Sequence, residues 1–99
     1  MNKKKLSDVT VEDVAKYIRL DEVTEDDEKL LNDLIVIAKE FIKNYTGVKE
    51  ENLDDYTDFV IVLYVLCQDM YDNRVLYVDK SNVNKVVESI LGMHSINLL

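Results

Sequence analysis

Proline is absent from this 99-residue chain, and glycine occurs only at Gly47 and Gly92. Strand-rich folds need Gly- and Pro-bearing turns, so few hairpins can be written with this alphabet and helices are favoured. Cys67 is the one cysteine, which excludes an intramolecular disulfide and any dependence of the fold on an oxidising compartment. It lies inside an apolar run and reads as a buried structural thiol, because a reactive thiolate wants exposure and nearby positive charge. His94 is the one histidine; without a second histidine or a paired cysteine no zinc site can be assembled. Two isolated glycines build no phosphate-cradling loop. No nucleophile elbow surrounds Ser7, Ser81, Ser89 or Ser95. The longest apolar run, Phe59 to Cys67, has nine residues and is too short to span a bilayer. The N-terminal lysines lead into Ser7, Asp8 and Glu12, so no secretory signal is expected and the product should be cytoplasmic when made. These absences lead us to expect no catalysis, no cofactor, no bound metal and no membrane.

What is present is acid and apolar side chain. Twenty Asp and Glu against twelve Lys and Arg give a net charge of −8. Gripping a phosphate backbone needs clustered cations. Lys3, Lys4 and Lys5 are a local exception and read as a solvated tail. The densest acidic patch is Asp21, Glu22 and Glu25 to Glu28. A calcium loop would need alternating oxygen ligands about a glycine, and none is there. Acids dressing a helix N-terminus account for the patch. The hydrophobic fraction of 47% and charged fraction of 32% are those of a globular domain, and the length suits one domain.

Periodicity and punctuation predict an all-α, four-helix domain with tails at residues 1–8 and 93–99. A short first helix starts at Thr10, with Asp13 as capping-box partner and Val9 and Val14 in staple positions. Val11, Val14, Ala15 and Ile18 keep helical spacing. The second helix is long. It is capped by Thr24, striped by Leu30, Leu31, Leu34, Ile35, Ala38, Phe41, Ile42 and Tyr45, and ended by Gly47. Val48 to Asp54 reads as a polar, acidic loop. A third helix runs from about Asp55 to Asn73 and is apolar on both sides, so it must be enclosed by its own domain or by a neighbour. The second and third helices should form the core. A connector, Arg74 to Lys80, leads to a short fourth helix capped by Ser81 or Asn82 and stopped by Gly92. Val83, Val86, Val87, Ile90 and Leu91 are expected to face in. Tyrosines 17, 45, 56, 64 and 71 fall on the apolar stripes, either as core-edge residues or as subunit contacts.

Three ordered motifs carry a resemblance. Tyr17-Ile18-Arg19 closes the first helix, an acidic stretch follows, and Tyr45-Thr46-Gly47 closes the second. Tyr71-Asp72-Asn73-Arg74 closes the third. In this order and spacing they resemble the head–tail connector (adaptor) family of tailed bacteriophages and prophages, over most of residues 9 to 91. The departure is C-terminal: many relatives carry a proline before the last helix and a Pro-Tyr-Arg-like ending, and this chain has neither.

The resemblance implies a structural, non-enzymatic virion protein, made in the host cytoplasm. It implies a ring of identical subunits beneath the portal, matching the portal's copy number and extending the DNA channel toward a tail-side completion or stopper protein. DNA would pass through without tight binding, and an acidic chain suits such a channel because like charge disfavours adhesion. A ring subunit needs two different complementary faces, and the doubly apolar third helix would supply part of them. The motif residues Tyr17, Arg19, Tyr45, Thr46, Gly47, Tyr71, Asp72, Asn73 and Arg74 would then be structural or interface residues. Arg74 is expected to meet the terminal carbonyls of the third helix or a carboxylate such as Asp72. A second reading stays open: a small acidic helical phage or mobile-element binding protein, acting as a DNA mimic or an assembly chaperone.

Overall fold

The computed structural model describes residues 4–95, which form helices α1 (Val11–Tyr17), α2 (Glu25–Thr46), α3 (Phe59–Asn73) and α4 (Lys85–His94). Three short 3₁₀ turns, Leu6–Asp8, Glu50–Asp55 and Lys80–Asn82, fill the connections, and no strand occurs among the described residues. The fold is all-α, as the composition implies.

Side-chain caps set where three of the helices begin. Thr10 Oγ1 accepts the Asp13 N–H at 3.2 Å, and the Asp13 carboxylate accepts the Thr10 N–H at 2.9 Å. Thr24 and Asp27 repeat this box at the start of α2, with both bonds at 3.1 Å. Each box satisfies two of the backbone donors that a helix N-terminus leaves without partners. Asn84 caps α4 through the Val86 N–H at 2.8 Å. That start is later than the Ser81 or Asn82 expected, because Asp79 claims both of those residues. Its carboxylate accepts the Ser81 N–H and the Asn82 side-chain N–H, each at 2.9 Å, closing the turn ahead of the helix.

Helix α3 begins at Phe59, not near Asp55. Residues 50–55 form a 3₁₀ turn instead, because Leu53 is anchored in the core at 6% exposure. The polar loop expected there is therefore a packed connection, with Val48 also buried. A strap holds it to the chain start: Asp54 accepts the Ser7 N–H at 2.9 Å and the Ser7 hydroxyl at 2.6 Å. Leu6 is 2% exposed. Leu6 and Ser7, expected within a free tail over residues 1–8, are thus held against the domain, and residues 1–3 lie outside the described residues.

The core lies between α2 and α3, with α1 and α4 packed against both. Leu31, Leu34, Ala38 and Ile42 of α2 and Phe59, Val62, Leu63, Leu66 and Cys67 of α3 are buried, together with Val14, Val87 and Leu91. Each such Val, Leu, Ile or Phe side chain contributes about 1.5–3 kcal/mol relative to exposure. The described chain measures 42 × 35 × 19 Å, so its thin direction holds about two layers of helices, each ~10 Å across.

The excess apolar surface is not where the sequence pattern puts it. Val62 and Leu66, on the supposed second face of α3, are covered by the domain itself, and of the apolar residues of that helix only Ile61 is markedly exposed. The exposed large side chains lie elsewhere: Val36 on α2, Leu76 and Tyr77 in the connector, Val86 and Met93 on α4. Val86, expected to face in, is 52% exposed, because α4 offers the core only the Val87–Leu91 edge. Gly92 does not stop α4, which continues to His94. The His94 ring packs on Tyr56 and Phe59, and its Nε2 lies 2.7 Å from Asp58, so the last turn is held by contacts that outweigh one glycine. Met93 therefore belongs to α4 and not to a tail. Ile96, Leu98 and Leu99 lie outside the described residues.

Leu34→Ala and Leu63→Ala, both at 1% exposure or less, should each cost about 2–5 kcal/mol in urea unfolding, with helical circular dichroism retained in the native state. A loss below the cost of an ordinary surface substitution at either site would contradict the α2–α3 core.

Candidate functional site

The three motifs share one geometry: each is the C-terminal stop of a helix. At the end of α1, Arg19 adopts the left-handed conformation at φ 62°. Its N–H bonds to the Lys16 carbonyl at 3.2 Å, and the Leu20 N–H reaches back to Ala15 at 3.0 Å. At the end of α3, Arg74 does the same at φ 57°, with its N–H on Tyr71 at 3.3 Å and the Val75 N–H on Met70 at 3.1 Å. Both are Schellman closures, which satisfy carbonyls that a helix end leaves open. At the end of α2, Gly47 takes φ 75° and bonds through one N–H to Lys43 at 2.9 Å. Glycine suits that conformation, whereas a side chain there costs roughly 1–2 kcal/mol.

A tyrosine stands in or beside the last turn at each stop. The Tyr17 ring stacks on Tyr64 of α3 at 5.0 Å between centroids, 16° from parallel, and so ties α1 to α3. Tyr45 packs on Phe41 at 5.5 Å. Tyr71 lies under the Arg74 guanidinium, 5.0 Å from its ring centroid, a cation–π contact worth about 0.5–1 kcal/mol at an exposed site. Thr46 is fully buried. Its hydroxyl donates to the Ile42 carbonyl at 2.7 Å and accepts the Val48 N–H at 3.2 Å, which pins the chain as it leaves α2. The Asn73 side chain donates to the Asp69 carbonyl at 2.8 Å. Asp72 is exposed. Arg74 meets the terminal carbonyls of α3 with its backbone, and among the described residues it forms no ion pair with Asp72 or any other carboxylate.

Among the described residues no hydrogen bond, ion pair or ring contact joins one motif to another. The structure brings these residues together as three separate stops and not as a catalytic constellation. Cys67 is fully buried, and burial pushes its thiol up to about 12, so it stays protonated at neutral pH. The acidic run from Asp21 to Glu28 forms no metal cage, and no group of three or more His, Cys, Asp or Glu gathers as a metal would require among the described residues. None of the described helices is long and apolar enough to cross a membrane.

Two features escaped the sequence reading. One is the pair His94–Asp58, which places Nε2 of the ring 2.7 Å from the carboxyl group. A lone histidine beyond a glycine gave no signal that its partner lies at the start of α3. The other is a groove of about 240 Å³ between the end of α3 and the 75–84 connector, bounded by Leu66, Asp69, Asn73, Tyr77 and Val83. Burial, reinforced by Asp72, raises the Asp69 carboxyl above its ordinary value.

Carboxylates also govern the acid response. The hydrogen bond from Lys4 holds Asp13 below the usual range, and the two bonds from Ser7 do the same for Asp54. A depressed folded value means stability present above the unfolded value near ~3.9 and lost as pH falls through the folded one. Asp54→Asn should cost about 1 kcal/mol at pH 7. Its gap from wild type in thermal melts should narrow below about pH 4. A gap that widens with acid would contradict this assignment.

One family model matches the chain, that of the phage gp6-like head–tail connector proteins, over residues 8–96. No curated protein and no solved structure gives a significant match. The match runs through all four helices and all three stops, and the chain belongs to the phage gp6-like head–tail connector family.

Proposed function

We propose that this connector forms a closed ring of identical subunits below the portal at the capsid vertex, continues the DNA channel, and presents its far side to a tail-side completion or stopper protein. The family match over residues 8–96 is the observation that carries this reading. Family membership makes the protein a structural partner of other head and tail proteins. The ring, its place, its copy number equal to the portal's, its virion location and its assembly in the host cytoplasm are our reading.

Three physical features support it. The domain is a thin slab with exposed apolar side chains on α2, the connector and α4, at Val36, Leu76, Tyr77, Val86 and Met93, and a ring subunit needs two contact faces. The net charge of −8 suits a wall along which DNA slides without adhering. Side-chain caps fix the starts of α1, α2 and α4 and left-handed stops fix the ends of α1, α2 and α3, which suits a part whose task is to hold geometry. Association of free subunits costs rigid-body entropy. The portal would therefore template the ring, raising the effective concentration of each subunit for the next.

Deleting the gene should leave filled or leaking heads and separate tails in the lysate, visible by electron microscopy. The protein should be found in purified wild-type virions. Normal tailed particles from the deletion, with the protein missing from virions, would sink the connector role and favour the acidic binding-protein reading.

A further inference from the structure

The three helix stops differ in a way that packing does not explain. α2 ends on glycine, the residue that the left-handed conformation favours. α1 and α3 end on arginines in that same conformation, and these are the only non-glycine residues with positive φ among those described. The bonds that close both ends are made by the backbone, so a glycine would make them without a strained Cβ. Asparagine is the usual substitute at such a stop; arginine has no special aptitude for it. The Arg19 side chain is exposed and forms no hydrogen bond, ion pair or ring contact with the described residues. The Arg74 guanidinium is also exposed. It rests on Tyr71 by one face and meets no carboxylate among the described residues.

The charge balance says what these groups await. Identical subunits of net charge −8 repel unless cations lie where they meet. Among the described residues only the carboxylates of Asp13 and Asp58 lie within ion-pair distance of a Lys, Arg or His side chain, so a second copy offers many unpaired carboxylates. Arginine presents a planar fork of donors matched to a carboxylate and is enriched where proteins meet. Two arginines in an acidic chain make no basic stripe for nucleic acid.

We propose that Arg19 and Arg74 are subunit-contact residues whose guanidinium groups pair with carboxylates of a second copy of this chain. Their backbones stop the helices; their side chains serve the neighbour. This rests on the ring reading above, since a heterologous contact lets one face of a subunit meet a different face of the next.

Glycine separates the two roles, because it keeps the stop and removes the side chain. Arg19→Gly, Arg74→Gly and the double variant, made in the full chain, should melt at or above the wild-type temperature. In complementation of a gene deletion, the double variant should lower the yield of tailed particles about tenfold or more, as loss of desolvated charge pairs does. A photo-crosslinking residue, p-benzoylphenylalanine in place of the exposed Asp72, supplied as a minority among wild-type chains during infection, should yield a dimer of the 11.5 kDa chain. Full particle yield from the double variant overturns the proposal. So does a sharp fall in melting temperature, which would give the side chains to the fold. Cross-links to other proteins alone would give the arginines to another partner and overturn it as well. Failure of the connector role shows separately, as normal particles from the deletion itself. The cross-link then decides alone, a dimer supporting the contact and no product overturning it.

Discussion

Keeping α3 out of water is the constraint on which the domain depends. Nine consecutive apolar residues, Phe59 to Cys67, begin that helix. Val60, Ile61, Val62 and Val65 among them have no intrinsic liking for a helix. No side chain caps its start, because Asp58 is engaged by His94. A 15-residue segment of this kind would not be helical alone. Burial makes it so, with α2 covering one side and α1 and α4 wedged against the rest. The hydrophobic effect is not directional, so something else must fix register. The polar devices therefore sit on the surrounding elements: the Thr10 and Thr24 boxes, the Asn84 cap and the Ser7–Asp54 strap.

The motifs are best understood as punctuation for that arrangement. A left-handed residue turns the chain at the end of α1, α2 and α3, and a tyrosine packs beside each turn. Stops at fixed spacing set three helix lengths, and helix lengths set how the layers stack. Apolar residues between the stops can be exchanged for others of like volume at modest cost; a stop cannot be moved without changing the stack. Short motifs can for this reason carry a family signal in a chain whose sequence holds no catalytic motif.

Where local physics decided the outcome, the sequence was readable. Thr10, Thr24 and Gly47 act within one helical turn of themselves, and each stands in the structure where its residue type implies. The stripe from Leu30 to Tyr45 marked the buried side of α2 correctly. Errors fell where a distant partner won. Leu53 is drawn into the core and delays α3; Asp79 takes Ser81 and Asn82 and delays α4; His94 and Asp58 carry α4 past Gly92. The second side of α3 read as spare because its covers, α1 and α4, are far away in sequence. The site was legible as motifs and illegible as geometry, since no pattern of letters shows that Arg19 and Arg74 hold positive φ.

The remaining question is how copies of so acidic a chain could lie side by side. Charge acts over about 8 Å at physiological salt, and the slab is several times that across its two long dimensions. Net charge is then a poor guide to association; what lies within a Debye length of the seam decides it. A seam lined by Leu76, Tyr77, Val86 or Met93 and joined by arginines would be locally neutral or attractive. The carboxylates at the head of α2 could meanwhile face water or a channel. The same polarity would discourage random aggregation, because most contacts between copies of so acidic a chain set acid against acid. In the proposed ring the acidity would select the geometry of assembly, and the apolar side chains would supply its affinity.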